Sequence, residues 1–398
     1  MKIDFMKDCK KVRLGDICEI TSCRRVHEKD WTDSGVPFYR AREIVALHEK
    51  KDIQPLYISE ELYEKNTNLC GKIVKGDILV TGVGTIGVPY LVKENDRFYF
   101  KDGNILWIKN NNAFNGSYLY YLFSSSLIQN QIKNMAGIGT VGTYTIENAK
   151  KTIIPLPSLE IQQKIAEILS TQDKVIELKQ KLIDQKKQQK KWLMQNLLTG
   201  KIRLKGFEGE WEKVRLGDVG KCYSGLTYSS NDTVNSNGLI VLRSSNIKDN
   251  KIDLSDNIYV KCDVTDKNKV RENDILICTN NGSSNLIGKC ALITKEYSRF
   301  AFGAFMSVYR TEYSSFIFQC FQSFIIKKQI SKNSVAIINR ITSSDLKSFR
   351  VPFPPIEEQT AIAEILSAQD TEIELLEKQL EQEKLKKKAL MQLLLIVK

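Results

Sequence analysis

Gly82, Gly84 and Gly87, in the stretch "DILVTGVGTIG", have the G-x-G-x-x-G spacing with which a backbone cradles a dinucleotide pyrophosphate. They follow a β-forming run (Ile78, Leu79, Val80), and Asp102 stands about 20 residues on, where a ribose-binding acid belongs. The chemistry works only if the third glycine opens a helix whose N-terminal N–H groups meet the phosphates. Gly87 leads instead into Val88, Pro89, Tyr90, Leu91 and Val92, a proline among β-formers, which predicts a hairpin. A second match, Gly137, Gly139 and Gly142 in "GIGTVG", runs into "TYTIEN" and fails the same test. "GSSNLIGKC" (Gly282 to Cys290) has one residue too many for a Walker loop and Cys290 where Ser or Thr should hold magnesium. The one Pro-Pro, Pro354 and Pro355 in "FPPI", lacks the Asn/Asp-Pro-Pro-aromatic form of an adenine methyltransferase clamp. His27 and His48 are too few and too isolated for a zinc site, and the nine cysteines are scattered without a C-x-x-C pair. The expectation is a chain with no catalytic residue, no metal and no cofactor.

Composition points to a binding role. Lys+Arg 59 against Asp+Glu 47 gives a net charge of +12 and a pI of about 9.1, which favours a polyanionic partner, nucleic acid first. The 398 residues, 42% of them hydrophobic, exceed one ordinary domain and suffice for at least two cores. An odd number of dispersed cysteines fits reduced thiols in a cytoplasmic protein. No signal peptide precedes "MKIDFMKDCKK", and no apolar run approaches the roughly 20 residues of a membrane span, so a cytoplasmic, membrane-free location is expected.

The chain repeats itself at an offset of about 200 residues. "KVRLGD" occurs at Lys11 and at Lys213, "GDIL" at Gly76 returns as "NDIL" at Asn273, and Gly87 returns as Gly288. "IAEILSTQD" at Ile165 returns as "IAEILSAQD" at Ile362, and "LMQNLL" at Leu193 as "LMQLLL" at Leu390. Each repeat opens with a loop-rich part of short alternating runs, a mixed α and β domain. Each then passes a proline pair (Pro155 and Pro157; Pro352 and Pro354) into a stretch without Gly or Pro, Leu159 to Thr199 or Ile356 to Lys398. That predicts a long helix, with Gly200 as the stop signal of the first. Ile168, Val175 and Leu182, and beside them Leu169, Ile176 and Ile183, recur every seven residues, with Ile165, Leu193 and Leu197 on neighbouring positions. Ile362, Ile365, Leu366, Ile373, Leu380, Leu390 and Leu394 repeat the seam. A helix of this length needs a partner, most simply its own repeat lying antiparallel. The lysines at 186, 187, 190, 191 and 386–388 are expected to face out, solvated or toward a partner.

The repeat also disposes of the phosphate cradle. "TGVGTIG" becomes "CTNNGSSNLIG", keeping the strand and the closing glycine but not Gly82 and Gly84. A recognition loop on a fixed scaffold tolerates such rewriting. The new loop carries amides and hydroxyls (Asn280, Asn281, Ser283, Ser284, Asn285) suited to base edges and phosphates.

"PLPSLEIQQKIAEILSTQDKVIEL", "KKWLMQNLLTGKIRL" and "PFPPIEEQTAIAEILSAQDTEIELLEKQLEQEKLKKKALMQLLL" closely resemble the helical regions of the specificity (S) subunit of type I restriction-modification enzymes. The resemblance spans the chain, most specifically in "LLTGKIRL" and in the "P-x-P-x-x-E" before each helix. It implies a non-catalytic reader in an α+β fold: two target-recognition domains (1–157 and 201–354), each followed by a conserved coiled-coil helix (158–200 and 355–398). Each domain would read one half of a split site in double-stranded DNA, in pseudo-twofold arrangement. Two modification subunits would dock on the helices and methylate adenine with S-adenosylmethionine, and restriction subunits would join them. A helix from Leu159 to Leu198 is about 60 Å long at 1.5 Å per residue, and the half-site centres are expected about 34 Å apart, one turn of DNA.

The candidate DNA contacts are basic residues in loops and strand ends: Arg24, Arg25, Arg40 and Arg42 in the first domain, Arg243 (aligned with Arg40) and Arg340 in the second. Turn residues with hydroxyl or amide groups join them: Thr81, Thr85, Thr143 and Tyr144, and Ser244, Asn246, Asn280, Asn281, Ser283 and Ser284.

Overall fold

The computed structural model describes residues 9–100, 105–136, 142–333 and 340–396; Asp102, Gly137 and Gly139 lie outside them. The chain divides into two compact units, Met1–Gln180 with Lys378–Lys398, and Lys181–Glu377. This division cuts across both long helices, Leu159–Leu197 and Ile356–Leu395, so each unit is a recognition domain together with the start of one helix and the end of the other.

In the first unit, strands Ile20–Thr21, Ile105–Ile108, Ile78–Thr81 and Pro89–Leu91 are hydrogen-bonded in that order, all antiparallel. A second sheet orders Trp31–Thr32, Leu56–Ile58, Val36–Tyr39 and Tyr99–Phe100, the last pair parallel. Lys10–Arg13 pairs with Ile153–Leu156 in a two-stranded ladder at the neck of the domain. The second unit repeats this plan: Lys221–Ser224, Met306–Arg310, Ile275–Cys278 and Cys290–Leu292 form one sheet. Thr233–Val234, Tyr259–Val260, Leu239–Leu242 and Ala301–Phe302 form the other, and Glu212–Arg215 pairs with Arg350–Phe353 as the neck. The repeats part company between sheets. The first has helices Ala41–His48 and Glu60–Cys70; the second has single helical turns, Ser244–Asn246 and Asp266–Asn268, and a short hairpin of Ile247–Lys248 with Lys251–Ile252.

The repeated "GDIL/NDIL" has a physical cause in its aspartate. Asp77, 1% exposed, accepts from Trp107 Nε1 (2.8 Å) and from the backbone N–H groups of Asn110 (2.8 Å) and Val74 (2.9 Å). Asp274, also 1% exposed, accepts from both Nε and a terminal nitrogen of Arg310 at 2.7 Å and from the Arg271 N–H. Different donors fill the same need, a buried carboxylate tying the turn before one strand to its neighbour. Replacing Asp274 with alanine strands the Arg310 charge and is expected to cost about 3 kcal/mol, seen as a lower urea midpoint.

Each long helix starts by one device. Gln162 donates to the carbonyl of Pro157 and Gln359 to that of Pro354, each at 2.8 Å and each side chain buried. Gly200, at φ +70°, ends the first helix in the left-handed conformation that glycine adopts without strain. In the first unit Ile165 and Leu169 from one helix share a core with Leu394 and Leu395 from the other. In the second, Met194, Leu197 and Leu198 share one with Ile362, Ala363 and Leu366. Such sharing places the start of each helix beside the end of the other, the antiparallel pairing.

The seam is narrower than the two heptad series suggest. Leu169, Ile183, Ile373 and Leu380 are buried, whereas Leu182 is 38% and Ile365 36% exposed, because a two-helix pair covers one stripe and leaves its neighbour open. Lys187, Lys191 and Lys386 keep the outward exposure expected of them, whereas Lys186, Lys190 and Lys387 turn toward the opposite helix. Lys186, Lys187 and Lys190 pair with Glu372 (2.6 Å), Glu377 (2.7 Å) and Asp370 (2.5 Å) of the opposite helix in the second unit. In the first, Lys387 meets Asp173 at 2.6 Å, and Gln172 donates to Glu383 at 2.8 Å. Among the described residues no helix is long and apolar enough to cross a membrane.

Candidate nucleic-acid interface

The glycine-rich stretch is the hairpin its proline and β-formers predict, Ile78–Thr81 returning antiparallel as Pro89–Leu91. Gly87 closes it at φ +77° and Gly288 closes its counterpart at φ +80°. A Cβ at either would also crowd a helix behind, 2.9 Å from Ile132 Cδ1 or 2.4 Å from Ile330 Cδ1. This is why that glycine alone recurs. "GSSNLIGKC" likewise leads into a strand, Cys290–Leu292, and not into the helix a phosphate loop needs.

Both hairpin loops are held in one frame. Tyr144 N–H donates to the Gly82 carbonyl and Ile341 N–H to the Thr279 carbonyl, each at 2.8 Å. Next to these bonds Val83 bridges Thr143, and Asn280 bridges Arg340. The frame thus joins the start of each hairpin loop to a segment further along the chain, after helix Ser126–Met135 in the first unit and after helix Phe324–Asn333 in the second, and the side chains it presents differ between the units. Thr85 and Thr143 are exposed in the first; Ser283, Ser284 and Arg340 are exposed in the second.

A second feature, a turn headed by arginine, faces the loop in the second unit. Arg243 N–H donates to Asn246 Oδ1 at 3.0 Å, as Arg40 N–H donates to Glu43 Oε2 at 3.0 Å in the first. Asn281 of the hairpin loop donates to Ser244 Oγ at 3.1 Å, and Lys289 Nζ lies 3.4 Å from the Ser244 carbonyl. Arg243, Ser244, Asn281 and Lys289 therefore form one polar group around the loop; Lys289, at the hairpin's exit, has no motif to mark it in the sequence. Arg24 and Arg25 lie exposed on the segment after Ile20–Thr21, with the Arg24 carbonyl held by Tyr99 OH at 2.9 Å.

Several expected contacts are committed elsewhere. Thr81 is fully buried, and its hydroxyl spans the hairpin turn between the Thr85 carbonyl and the Val88 N–H. Tyr144 is 2% exposed, with its hydroxyl on Thr152. Asn246, also fully buried, donates to the carbonyls of Asp253 and Asp256. These three side chains hold the loops rather than reach out of them. Arg40 lies over the Trp31 ring and pairs through Nε (3.2 Å) and a terminal nitrogen (3.1 Å) with Glu43, which Arg42 also contacts. Arg243 pairs with Asp256 at 3.0 Å.

Burial pushes the Glu43 carboxyl up, but the bonds from Arg40 and Arg42 outweigh it and hold its pKa below the usual carboxylate range. The stability this pair supplies is present above that range and is lost as pH falls through the lowered value. Replacing Arg40 with alanine is expected to cost about 2 kcal/mol in thermal unfolding at neutral pH, less than a fully buried pair because Arg42 remains. The same change at Arg24 or Arg25 should stay within about 0.5 kcal/mol. A DNA-binding defect at Arg40 alone would then trace to folding.

The chemistry on offer is recognition. Among the described residues no group of three or more His, Cys, Asp or Glu could hold a metal ion. The family model described as the type I restriction modification DNA specificity domain matches residues 6–188 and 208–384. The MjaX specificity subunit of Methanocaldococcus jannaschii is 29% identical over 98% of this chain and 94% of the relative. The type I restriction enzyme MjaVIII specificity subunit of the same organism is 30% identical over 72% of the chain and 70% of the relative. The match to a Haemophilus influenzae specificity subunit, S.HindORF215P, is 32% identical but spans 42% of the chain and 41% of that protein. Among solved structures, the type I restriction-modification S subunit from M. genitalium superposes with a TM-score of 0.60 at 14% identity, covering 100% of this chain and 99% of that one. A chain from a structural study of complex assembly and conformational transition of the type I R-M system gives 0.62 at 20% identity, covering 97% of each. At those identities the superpositions establish the fold, and the family model, matched through both repeats, carries the rest. The chain belongs to the type I restriction-modification DNA specificity family, as a DNA-recognition subunit that is not itself the catalyst.

Proposed function

We propose that each recognition domain reads one half of a split, asymmetric site in double-stranded DNA, and that the paired helices carry two adenine-methylating modification subunits, to which restriction subunits add. The observation that carries the reading is the shared loop frame. The same backbone bonds, Tyr144 to Gly82 and Ile341 to Thr279, present threonines in one unit and asparagine, serines and arginine in the other. One scaffold with two side-chain sets fits two different half-sites. Within the second unit, Arg340, Asn281, Ser283, Ser284 and Lys289 are the readers and phosphate contacts, with Arg243 heading the turn beside them; within the first, Arg24, Arg25, Thr85 and Thr143 are.

Docking on the helices is supported by apolar side chains that neither unit covers. Leu178, Leu385 and Leu393 are 52%, 65% and 68% exposed in the first unit, and Trp192 and Leu375 each 54% in the second. A net charge of +12 favours the polyanion. The methyl donor and the nucleotide-driven steps belong to the partner chains, and the assembly works in the cytoplasm, where the DNA is.

Mapping methylated adenines in cells that carry this chain with its modification subunits tests the proposal. The expected result is one asymmetric target of two short blocks separated by an unspecified gap. A continuous or palindromic target, or no methylation, would overturn it.

A further inference from the structure

An isolated exposed apolar residue is ordinary on a protein surface, but Phe305 is fixed where it stands. It is 64% exposed, in the tight turn between Ala301–Phe302 and Met306–Arg310 that Met306 N–H closes on the Gly303 carbonyl at 2.8 Å. On either side, Phe302 and Met306 are buried. The Phe305 carbonyl accepts from the N–H groups of Thr279 (3.0 Å) and Asn280 (3.1 Å) and from the Thr279 hydroxyl (3.3 Å). Three donors on one carbonyl lock the backbone of the turn to the root of the second hairpin loop, and the core places on either side are already filled by Phe302 and Met306. Asn280 in turn bridges the exposed Arg340. The turn that carries the exposed ring is therefore tied through its backbone to the loop that carries Asn280 and to Arg340 beside it. At the same connection the first repeat has the sequence "KDGN", Lys101 to Asn104, with no aromatic.

In the major groove every base pair offers hydrogen-bonding groups, and the thymine C5-methyl is the one apolar feature, which a phenyl ring can cover. We infer that Phe305 determines specificity by contacting a thymine methyl in the half-site of the second unit, an inference that rests on the loop being DNA-facing as proposed above. The polar neighbours would fix the ring's position along the groove, and the ring would select thymine over cytosine where an amide could not.

The test uses the full chain assembled with its modification subunits and duplexes in which one thymine at a time of the second half-site is replaced by deoxyuridine, which removes only the methyl. At one position the replacement should weaken wild-type binding about fourfold, the worth of one buried methyl group. Phe305→Ala should bind the thymine duplex at least about fourfold more weakly and bind thymine and uracil duplexes alike, with an unchanged thermal midpoint. The inference is overturned if Phe305→Ala keeps the wild-type thymine/uracil ratio, or if no thymine is methyl-sensitive, a half-site without A·T pairs included. It is equally overturned if the variant fails to assemble with the modification subunits, since the ring then belongs to a protein interface. Asn281→Ala and Arg340→Ala, measured alongside, separate the two levels. If they alter second half-site preference and Phe305→Ala does not, only the thymine contact fails; if none of the three does, the DNA-facing reading of the loop fails with it.

Discussion

Exchanging residues 219–347 for the matching stretch of another specificity subunit is expected to replace one half of the methylated site and leave the other half as it was. The cut points lie just beyond the neck ladder of Glu212–Arg215 with Arg350–Phe353, on the side of the domain, so the graft joins a neck and helices that remain the chain's own. Phe316, Ile317 and Phe321 share one core with Ile362 and Leu366, so a donor with apolar residues at those places keeps the core. Each mismatched base pair costs about 1–3 kcal/mol in a specific complex, so a half-site of several pairs should shift by more than about a thousandfold. The methylome of cells carrying the exchanged chain reads this directly. Should both halves change together, or neither, reading of one half per domain is wrong.

The second large effect concerns the gap. Four residues inserted after Gln180 and four after Glu377 lengthen both long helices by about 6 Å at 1.5 Å per residue, at the division between the units. Placed in pairs, the insertions keep cross-helix partners such as Lys186 with Glu372 and Lys387 with Asp173 in register within their own units. An insertion in one helix alone would slide those partners past each other by a turn. At about 3.4 Å per base pair, the unspecified gap should grow by one or two base pairs while both half-sites stay unchanged. Methylated sites that keep the original gap would mean that the helices do not set it.

Much of the fold was legible because it rests on local rules. Gly and Pro are absent from Leu159 to Leu197, and Pro89 after Gly87 forbids the helix that a nucleotide loop requires. The repeat located the strands on either side of each hairpin. The site was legible at the level of segments but not of side chains. Thr81, Tyr144 and Asn246 are of the right type in the right turns, yet a turn needs internal partners for its own backbone, and these residues supply them. Nothing in one copy of the sequence tells such a hydroxyl or amide from one that faces outward. Arg40 did carry a signal, since Glu43 three residues on is the spacing of a capping box. The cross-helix pairing of Lys186, Lys187 and Lys190 was not legible for a different reason. Their partners, Asp370, Glu372 and Glu377, lie almost 200 residues away, and only the antiparallel register brings them together.

The sharing of cores between helix ends also sets an order of events during synthesis. Residues 181–377 are one continuous stretch, so the second unit has all its parts once it has left the ribosome. The first unit does not, because Leu394 and Leu395 fill the core around Ile165 and Leu169. At about 5–20 residues per second, the domain made first waits roughly 10–40 s for the segment that completes it. Ile165 and Leu169 remain without that cover throughout the wait. A nascent chain halted before Lys378 therefore presents a closed second unit beside an apolar opening in the first, a surface for chaperones or proteases that the finished protein no longer shows.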